Sequence, residues 1–171
     1  MIALLALLHA DDAVPASRPN PDAPPGTCDT LAIVADPDPA GLNVRDQPTT
    51  QGSTVVDQVH QDKVVHLRDA RDGWVLLDQE EDYELESSRE VGGWVSTKLL
   101  TVGLAGEAEA LGAELKDAPD GQPAGKVMRV ERLHGCQGAW LEVGGKDEAG
   151  ATVRGWLAPE LQCPNPLTTC A

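Results

Sequence analysis

The sequence contains no phenylalanine, one tyrosine and four tryptophans, and its 13 lysines and arginines face 28 aspartates and glutamates. The formal net charge of −15 argues against nucleic acid as the main partner, because phosphate binding needs a basic face. The same charge disfavours attraction to anionic lipid headgroups. With so few aromatic residues, we expect a core of valine, leucine and alanine that is anchored by the tryptophans.

Sequence motifs of the common enzyme classes are also missing. There is no G-x-S-x-G motif, no phosphate-binding loop, no dinucleotide fingerprint and no EF-hand loop. His134 and Cys136 share a strand face and keep a cysteine hydrolase as a remote alternative, but Cys136 is more simply explained as a disulfide partner. His60 and His66 lack an obvious third metal ligand. We therefore expect a protein without enzymatic activity, cofactor or metal.

The first ten residues (MIALLALLHA) form an apolar run that is too short to span a bilayer. The run resembles the apolar region of a secretory signal peptide, and Ala10, Ala13 and Ala16 offer cleavage points, although no lysine or arginine precedes it. A buried N-terminal strand is the alternative. The sequence predicts a signal peptide over 1–16, a proline-rich linker over 17–27, and a periplasmic or secreted protein without membrane insertion after signal removal.

Four cysteines, which favour an oxidising compartment, allow three disulfide pairings that sequence cannot separate. We expect Cys136–Cys163, which would close a loop within the second half of the chain. We also expect Cys28–Cys170, which would join its two ends. The rival pairing joins Cys163 to Cys170 through the short segment CPNPLTTC. A zinc site is a weaker alternative, because there is no C-x2-C pair.

The strongest signal is an internal repeat. Residues 41–48 (GLNVRDQP) align without gaps to residues 112–119 (GAELKDAP). In both segments apolar and polar residues alternate and Asp-x-Pro follows, which is typical of a half-buried strand that runs into a turn. Arg45 and Lys116 point away from the apolar side chains and are expected on a solvated strand face.

Each copy continues with a β-rich stretch and two tryptophan strands, at Trp74 and Trp94 and again at Trp140 and Trp156. Short strands separated by frequent turns indicate an all-β fold. The acidic segment 79–86 is predicted to be an exposed hairpin tip, and residues 107–111 a linker or a first strand. The sequence thus predicts two consecutive small barrels, over 28–101 and 102–171.

The order of L-N-V-R, proline, hairpin, G-W and G-W-V resembles bacterial Src-homology-3-like (SH3-like) domains. The resemblance rests on 41–48, 73–74 and 93–95 and covers about 28–101; the second copy departs from it at 114–116 and at Ala139, which replaces glycine. It implies a five- or six-stranded barrel in each copy. It also implies an envelope or extracellular location and a binding role, often towards peptidoglycan or its peptide stems.

Four residues are candidates for a ligand groove, namely Arg45, Trp74, Tyr83 and Trp94. They would bind an extended peptide or glycan, whereas the simpler interpretation of the tryptophans is packing in the core or at its rim. We therefore expect a non-catalytic exported binding protein that recognises peptidoglycan or envelope peptides. The alternative is a protein–protein adaptor or a structural component of an envelope assembly. The oligomeric state is left open.

Overall fold

The computed structural model describes residues 26–83, 85–165, 167 and 170. The predicted signal peptide (1–16) and all but the last two residues of the predicted linker (17–27) lie outside the described residues. Thr27 already belongs to the first strand. The described chain is all-β, as predicted, with one very short α-helix. None of the helices in these ranges has the length and apolar character needed to cross a membrane.

The first part of the chain forms a strongly curled antiparallel sheet of seven strands in the order β3-β2-β6-β5-β4-β1-β7. A 3-10 turn, Thr97–Leu99, separates the last two strands. The strands are β1 Thr27–Val34, β2 Leu42–Arg45, β3 Val55–Val59, β4 Val64–Arg71, β5 Trp74–Asp82, β6 Ser87–Ser96 and β7 Leu100–Thr101.

The second part forms a five-stranded antiparallel sheet in the order β10-β9-β13-β12-β11, and β8 pairs with β14. The helix α1, Glu107–Leu111, precedes β9, and a second 3-10 turn, Pro159–Leu161, precedes β14. The strands are β8 Gly103–Leu104, β9 Ala113–Lys116, β10 Pro123–Val127, β11 Arg129–Gln137, β12 Trp140–Lys146, β13 Thr152–Leu157 and β14 Gln162–Cys163.

The two parts repeat one topology. The order β3-β2-β6-β5-β4 in the first sheet matches β10-β9-β13-β12-β11 in the second, and each 3-10 turn leads into a short strand. Arg45 pairs with Trp94, and Lys116 pairs with Trp156, so equivalent residues meet in the same register. We call the parts the first repeat (27–101) and the second repeat (103–163). The sheets remain separate.

The glycine before the second tryptophan of each repeat is required by a close strand approach. A Cβ atom on Gly93 would lie 2.6 Å from Val44 Cγ1 and 2.7 Å from the Arg45 carbonyl oxygen. A Cβ atom on Gly155 would lie 2.8 Å from the carbonyl oxygen of Lys116. Glycine therefore allows β6 and β13 to pack against β2 and β9 where the sheets curl.

The core is one hydrophobic cluster that draws on both repeats and consists mainly of valine, leucine and alanine. The expectation that tryptophans anchor it is not met, because none of the four belongs to this cluster, although Trp94 is itself buried. Side chains alternate along a strand, and Val75 and Val95 point into the core, so Trp74 and Trp94 lie on the opposite face. We call the side of each sheet away from the core its outer face.

The disulfides are Cys28–Cys136 and Cys163–Cys170. The predicted pairs, Cys136–Cys163 and Cys28–Cys170, are wrong, and the rival pairing of Cys163 with Cys170 is right. The reason is a contact between the repeats that the sequence does not show. The N–H of Asp29 donates to the carbonyl of Gly138, and the N–H of Gly138 donates to that of Thr27, both at 2.8 Å. This bridge brings the Cα atoms of Cys28 and Cys136 to 5.5 Å.

Residues 107–111 form the helix α1, so the prediction of a linker or first strand is wrong. Five residues are too few to form a stable helix alone. Here Ala108 is buried in the shared core, and its carbonyl accepts the N–H of Gly112 at 2.9 Å. Tertiary burial thus stabilises a turn that local propensity does not.

Candidate functional site

The outer face of the first repeat brings three of the four predicted site residues together. Trp94 pairs with Arg45 on one side and with Leu76 on the other, and Trp74 pairs with Arg71. Cross-strand partners on one face lie within contact distance. We call Arg45, Arg71, Trp74, Leu76 and Trp94 the aromatic-basic face.

Arg71 covers the indole of Trp94. Its guanidinium carbon lies 5.2 Å from the ring centroid, within the range of a cation–π interaction. Asp69 accepts from Arg71 Nη2 at 2.7 Å and from Nε at 3.1 Å, which fixes the guanidinium plane. The Arg71 side chain nevertheless remains 63% exposed, while Trp94 is only 9% exposed. The accessible part of this pair is therefore the cation.

Arg45 lies on the other side of Trp94 and is half-buried. Its Nη1 donates to Ser53 Oγ at 3.1 Å, and the loop that carries Ser53 is closed by the N–H of Thr54, which donates to Asp46 Oδ1 at 2.8 Å. The turn between β2 and β3 therefore orients this guanidinium. Lys116, its counterpart, instead forms an ion pair with Glu114 at 2.6 Å.

Tyr83 does not join the aromatic-basic face. It follows β5, whereas Trp74 begins β5, so the two are separated by roughly 25–30 Å of strand. Tyr83 lines a cavity of about 430 Å³ together with Gln61, Lys63 and Leu167. Burial, followed by the hydrogen bond and charge of Glu81, raises the pKa of Tyr83 to about 12. It is thus a neutral phenol at physiological pH.

The predicted exposed tip at 79–86 is shorter than expected. Strand β5 continues to Asp82, and Glu80 is buried at 9% exposure. Arg89 neutralises Glu80 with Nε donating to Oε2 at 2.7 Å, and its Nη1 donates to Asp57 at 2.7 Å. Gln79 and residues 85–90 are exposed, with Leu85 at 73%.

Arg71 is the residue that sequence reasoning missed. Asp72 and Gly73 both have positive φ angles, 48° and 81°, which is the backbone of a two-residue hairpin turn. Such a turn places the preceding residue, Arg71, opposite the following one, Trp74. The D-G pair in the sequence was therefore a usable signal.

A second group of charges lies beside β1 in the first repeat. His66 Nε2 lies 3.0 Å from Asp29 Oδ1, and His66 Nδ1 lies 3.0 Å from Asp78 Oδ1. Asp78 Oδ1 nevertheless has no hydrogen-bond partner in the described part of the chain. Arg68 Nε contacts Asp78 Oδ2 at 2.8 Å. We call Asp29, His66, Arg68 and Asp78 the charge cluster; its two carboxylates both contact His66 and Arg68.

Among the described residues, no group of three histidine, cysteine, aspartate or glutamate side chains is placed to hold a metal ion. All four cysteines are in disulfides, so none offers a thiolate ligand. The outer face of the first repeat presents guanidinium and indole groups.

The chain was compared with protein-family models, curated proteins and solved structures, and none of these comparisons gave a match.

Proposed function

We propose that this protein is a non-catalytic, exported binding protein whose tandem SH3-like barrels recognise peptidoglycan or envelope peptides. The observation that carries the proposal is the aromatic-basic face, where Arg45 and Arg71 flank the indole of Trp94. In a chain with a net charge of −15, two guanidinium groups lie beside two tryptophans here; Asp69 pairs with one edge of Arg71, and no acid pairs with Arg45 among the described residues.

The chemistry of this face suits a peptide with a carboxylate. A guanidinium binds a carboxylate through two parallel hydrogen bonds, which fixes orientation as well as affinity. The indole of Trp74 offers an apolar surface for a peptide backbone or a sugar ring. The order of the repeated strands supports the resemblance to SH3-like barrels, which implies the same class of ligand.

Two further observations support the non-catalytic and exported parts of the proposal. Disulfides persist in oxidising compartments, and this chain has two. Cys136 is bonded to Cys28, which removes the thiolate that a cysteine hydrolase would need.

A protein–protein adaptor in an envelope assembly is the second candidate. The net charge of −15 favours it, since anionic wall polymers would be repelled by most of the surface. The two candidates differ in whether isolated wall material is bound.

Co-sedimentation with purified peptidoglycan sacculi at low salt tests the proposal. The full chain should pellet with sacculi, and Arg45→Gln with Arg71→Gln should weaken binding by about tenfold or more, because each charged hydrogen bond contributes about 1.5–3 kcal/mol. Arg71→Gln also reproduces Gln137, the equivalent residue of the second repeat. Arg129→Gln is the matched control, because Arg129 is 79% exposed and lies on the second repeat.

Failure of the full chain to pellet would exclude wall binding and leave the adaptor. Sedimentation that is unchanged in the double variant would remove the aromatic-basic face from the proposal.

A further inference from the structure

A cavity of about 390 Å³ lies on the outer face of the second repeat, across β11, β12 and β13. Three basic side chains line it, Arg132, His134 and Arg154, and glycines 144 and 145 form its floor. Such a cluster of basic side chains is unusual in a chain whose net charge is −15.

The strand register builds this arrangement. Gly144 pairs with Arg132 on β11 and with Arg154 on β13, so the two arginines lie in one row with a residue that has no side chain between them. A Cβ atom on Gly144 would lie 2.7 Å from His134 Nε2, so the imidazole covers the glycine. Gly145 cannot carry a side chain, because its Cβ atom would meet the Arg129 carbonyl at 2.0 Å.

The bases of this cavity are incompletely neutralised. Arg154 Nε donates to Glu142 Oε1 at 2.8 Å. Glu131 lies at the rim, where it contacts Arg129 at 3.6 Å. Within the described ranges, the Arg132 guanidinium and the His134 imidazole have no hydrogen-bond or ion-pair partner. Burial, and then the charges of Arg154 and Arg132, lower the pKa of His134, while the charge of Glu142 raises it.

Comparison with the first repeat shows which acidic side chains are missing beside the basic residues of this cavity. In both sheets the fourth strand of the repeat has a bulge, between Leu67 and Asp69 and between Leu133 and Gly135. Counting from the bulge, His66 and Arg68 correspond to Arg132 and His134, so both repeats place one arginine and one histidine at these two positions.

The acids of the charge cluster have no such counterpart. In the first repeat, Asp78 lies at a register shift of β5. In β12 of the second repeat, the residue opposite Arg132 is Gly144, which has no side chain. Asp29 comes from the eight-residue strand β1, and its equivalent β8 has only two residues. The second repeat has therefore kept one arginine and one histidine and lost both carboxylates that lie beside them in the first; its nearby acid is Glu142, which pairs with Arg154.

From this comparison we propose that the cavity bounded by Arg132, His134 and Arg154 binds the carboxylate group of an external peptide. The ligand carboxylate takes the place that Asp78 and Asp29 occupy around the bases of the first repeat. Arg132 offers a free planar fork for two hydrogen bonds, and the glycine floor leaves room for the ligand chain. This site is separate from the aromatic-basic face and does not depend on the function proposed above.

An NMR titration of the full, disulfide-bonded chain tests the proposal, with N-acetyl-alanyl-alanine as the probe. Its C-terminal amide and inorganic phosphate are the comparison ligands. We expect saturable shifts of the His134 ring and of the Arg132 and Arg154 guanidinium signals with the free carboxylate, and no saturation with the amide. Bound carboxylate should also raise the pKa of His134, because it adds a negative charge beside the imidazole.

Two variants identify the site. Arg132→Gln should weaken binding of the probe at least tenfold. Gly144→Asp places a carboxylate of the protein itself among the bases, where only the movable imidazole must shift, and it should abolish binding and raise the pKa of His134 without ligand. Arg129→Gln on the same strand is the control and should bind as the parent does.

Three outcomes would overturn the proposal. These are no saturable shift at His134, equal saturation by phosphate or by the amide, and unchanged binding in Arg132→Gln. If Gly144→Asp does not fold, the Arg132→Gln comparison still decides, since Arg132 is on the surface. Failure here leaves the sacculus experiment unaffected, because that experiment tests Arg45 and Arg71.

Discussion

The two repeats share one backbone plan but distribute charge in opposite ways. In the first, the bases beside the strand bulge are neutralised by Asp29 and Asp78, while Arg71 stays exposed on Trp94. In the second, the bases beside the bulge have lost those acids, and Gln137 stands where Arg71 does. The comparison teaches that register and glycine positions define the scaffold, whereas a few side chains decide which basic groups of each outer face lie beside a carboxylate.

The largest expected effect comes from the covalent link between the repeats. The Cys28–Cys136 bond spans 108 positions, whereas Cys163–Cys170 spans 7. On the chain-entropy model, Cys28→Ala with Cys136→Ala should lower the free energy of unfolding by about 4–5 kcal/mol, and removal of the shorter link by about 2–3 kcal/mol. Urea unfolding measures both.

Non-reducing peptide mapping is the companion measurement. Recovery of a Cys136–Cys163 peptide would contradict the pairing described here. If the two double variants lose the same free energy of unfolding, the disulfide between the repeats contributes no more than the local one, and the prediction is contradicted.

The glycines before the second tryptophans should give a smaller and equal effect in both repeats. Gly93→Ala and Gly155→Ala each introduce a methyl group within 3 Å of a backbone oxygen, so each should lower the free energy of unfolding by about 1–3 kcal/mol. Gly92→Ala is the control, because nothing lies within 4 Å of its Cβ position. Unequal losses at the two sites, measured by urea unfolding, would show that the strand crossings are not equivalent.

The smallest expected effect is a pH dependence of the free energy of unfolding that arises from His134 of the second repeat. The pKa of His134 is lowered from its ordinary 6.5, by burial first and then by the two arginines. As pH falls below 6.5, the unfolded chain therefore takes up this proton before the folded chain does, and the free energy of unfolding decreases until the folded-state pKa is passed. His134→Gln should remove this decrease in a pH series of urea unfolding. His60→Gln, an exposed histidine, is the control, and a decrease that persists in His134→Gln would contradict the assignment.

The parts of the fold that follow from local pattern could be predicted from sequence. The all-β class was predicted from the alternation of apolar and polar residues in 41–48 and 112–119 and from the glycine–tryptophan pairs. The same alignment predicted that Arg45 and Lys116 are equivalent, and both pair with the second tryptophan of their repeat. The disulfide pairing could not be predicted, because it depends on β1 of one repeat lying against Gly138 of the other. The helix α1 could not be predicted either, because it depends on tertiary burial of Ala108. The position of Tyr83 was also missed, because its distance from Trp74 follows from the length of β5.

The contact of β1 with Gly138 has a consequence for the order of folding. A chain that is made or translocated from its N-terminus presents β1 first, yet the bridge to Gly138 waits until more than a hundred further residues have emerged. Until then the start of β1, which lies beyond its pairing with β7, and apolar side chains of the shared core have no partner from the second repeat. The start of β1 is thus completed only when the second repeat arrives, and Cys28 keeps a free thiol until Cys136 is in reach.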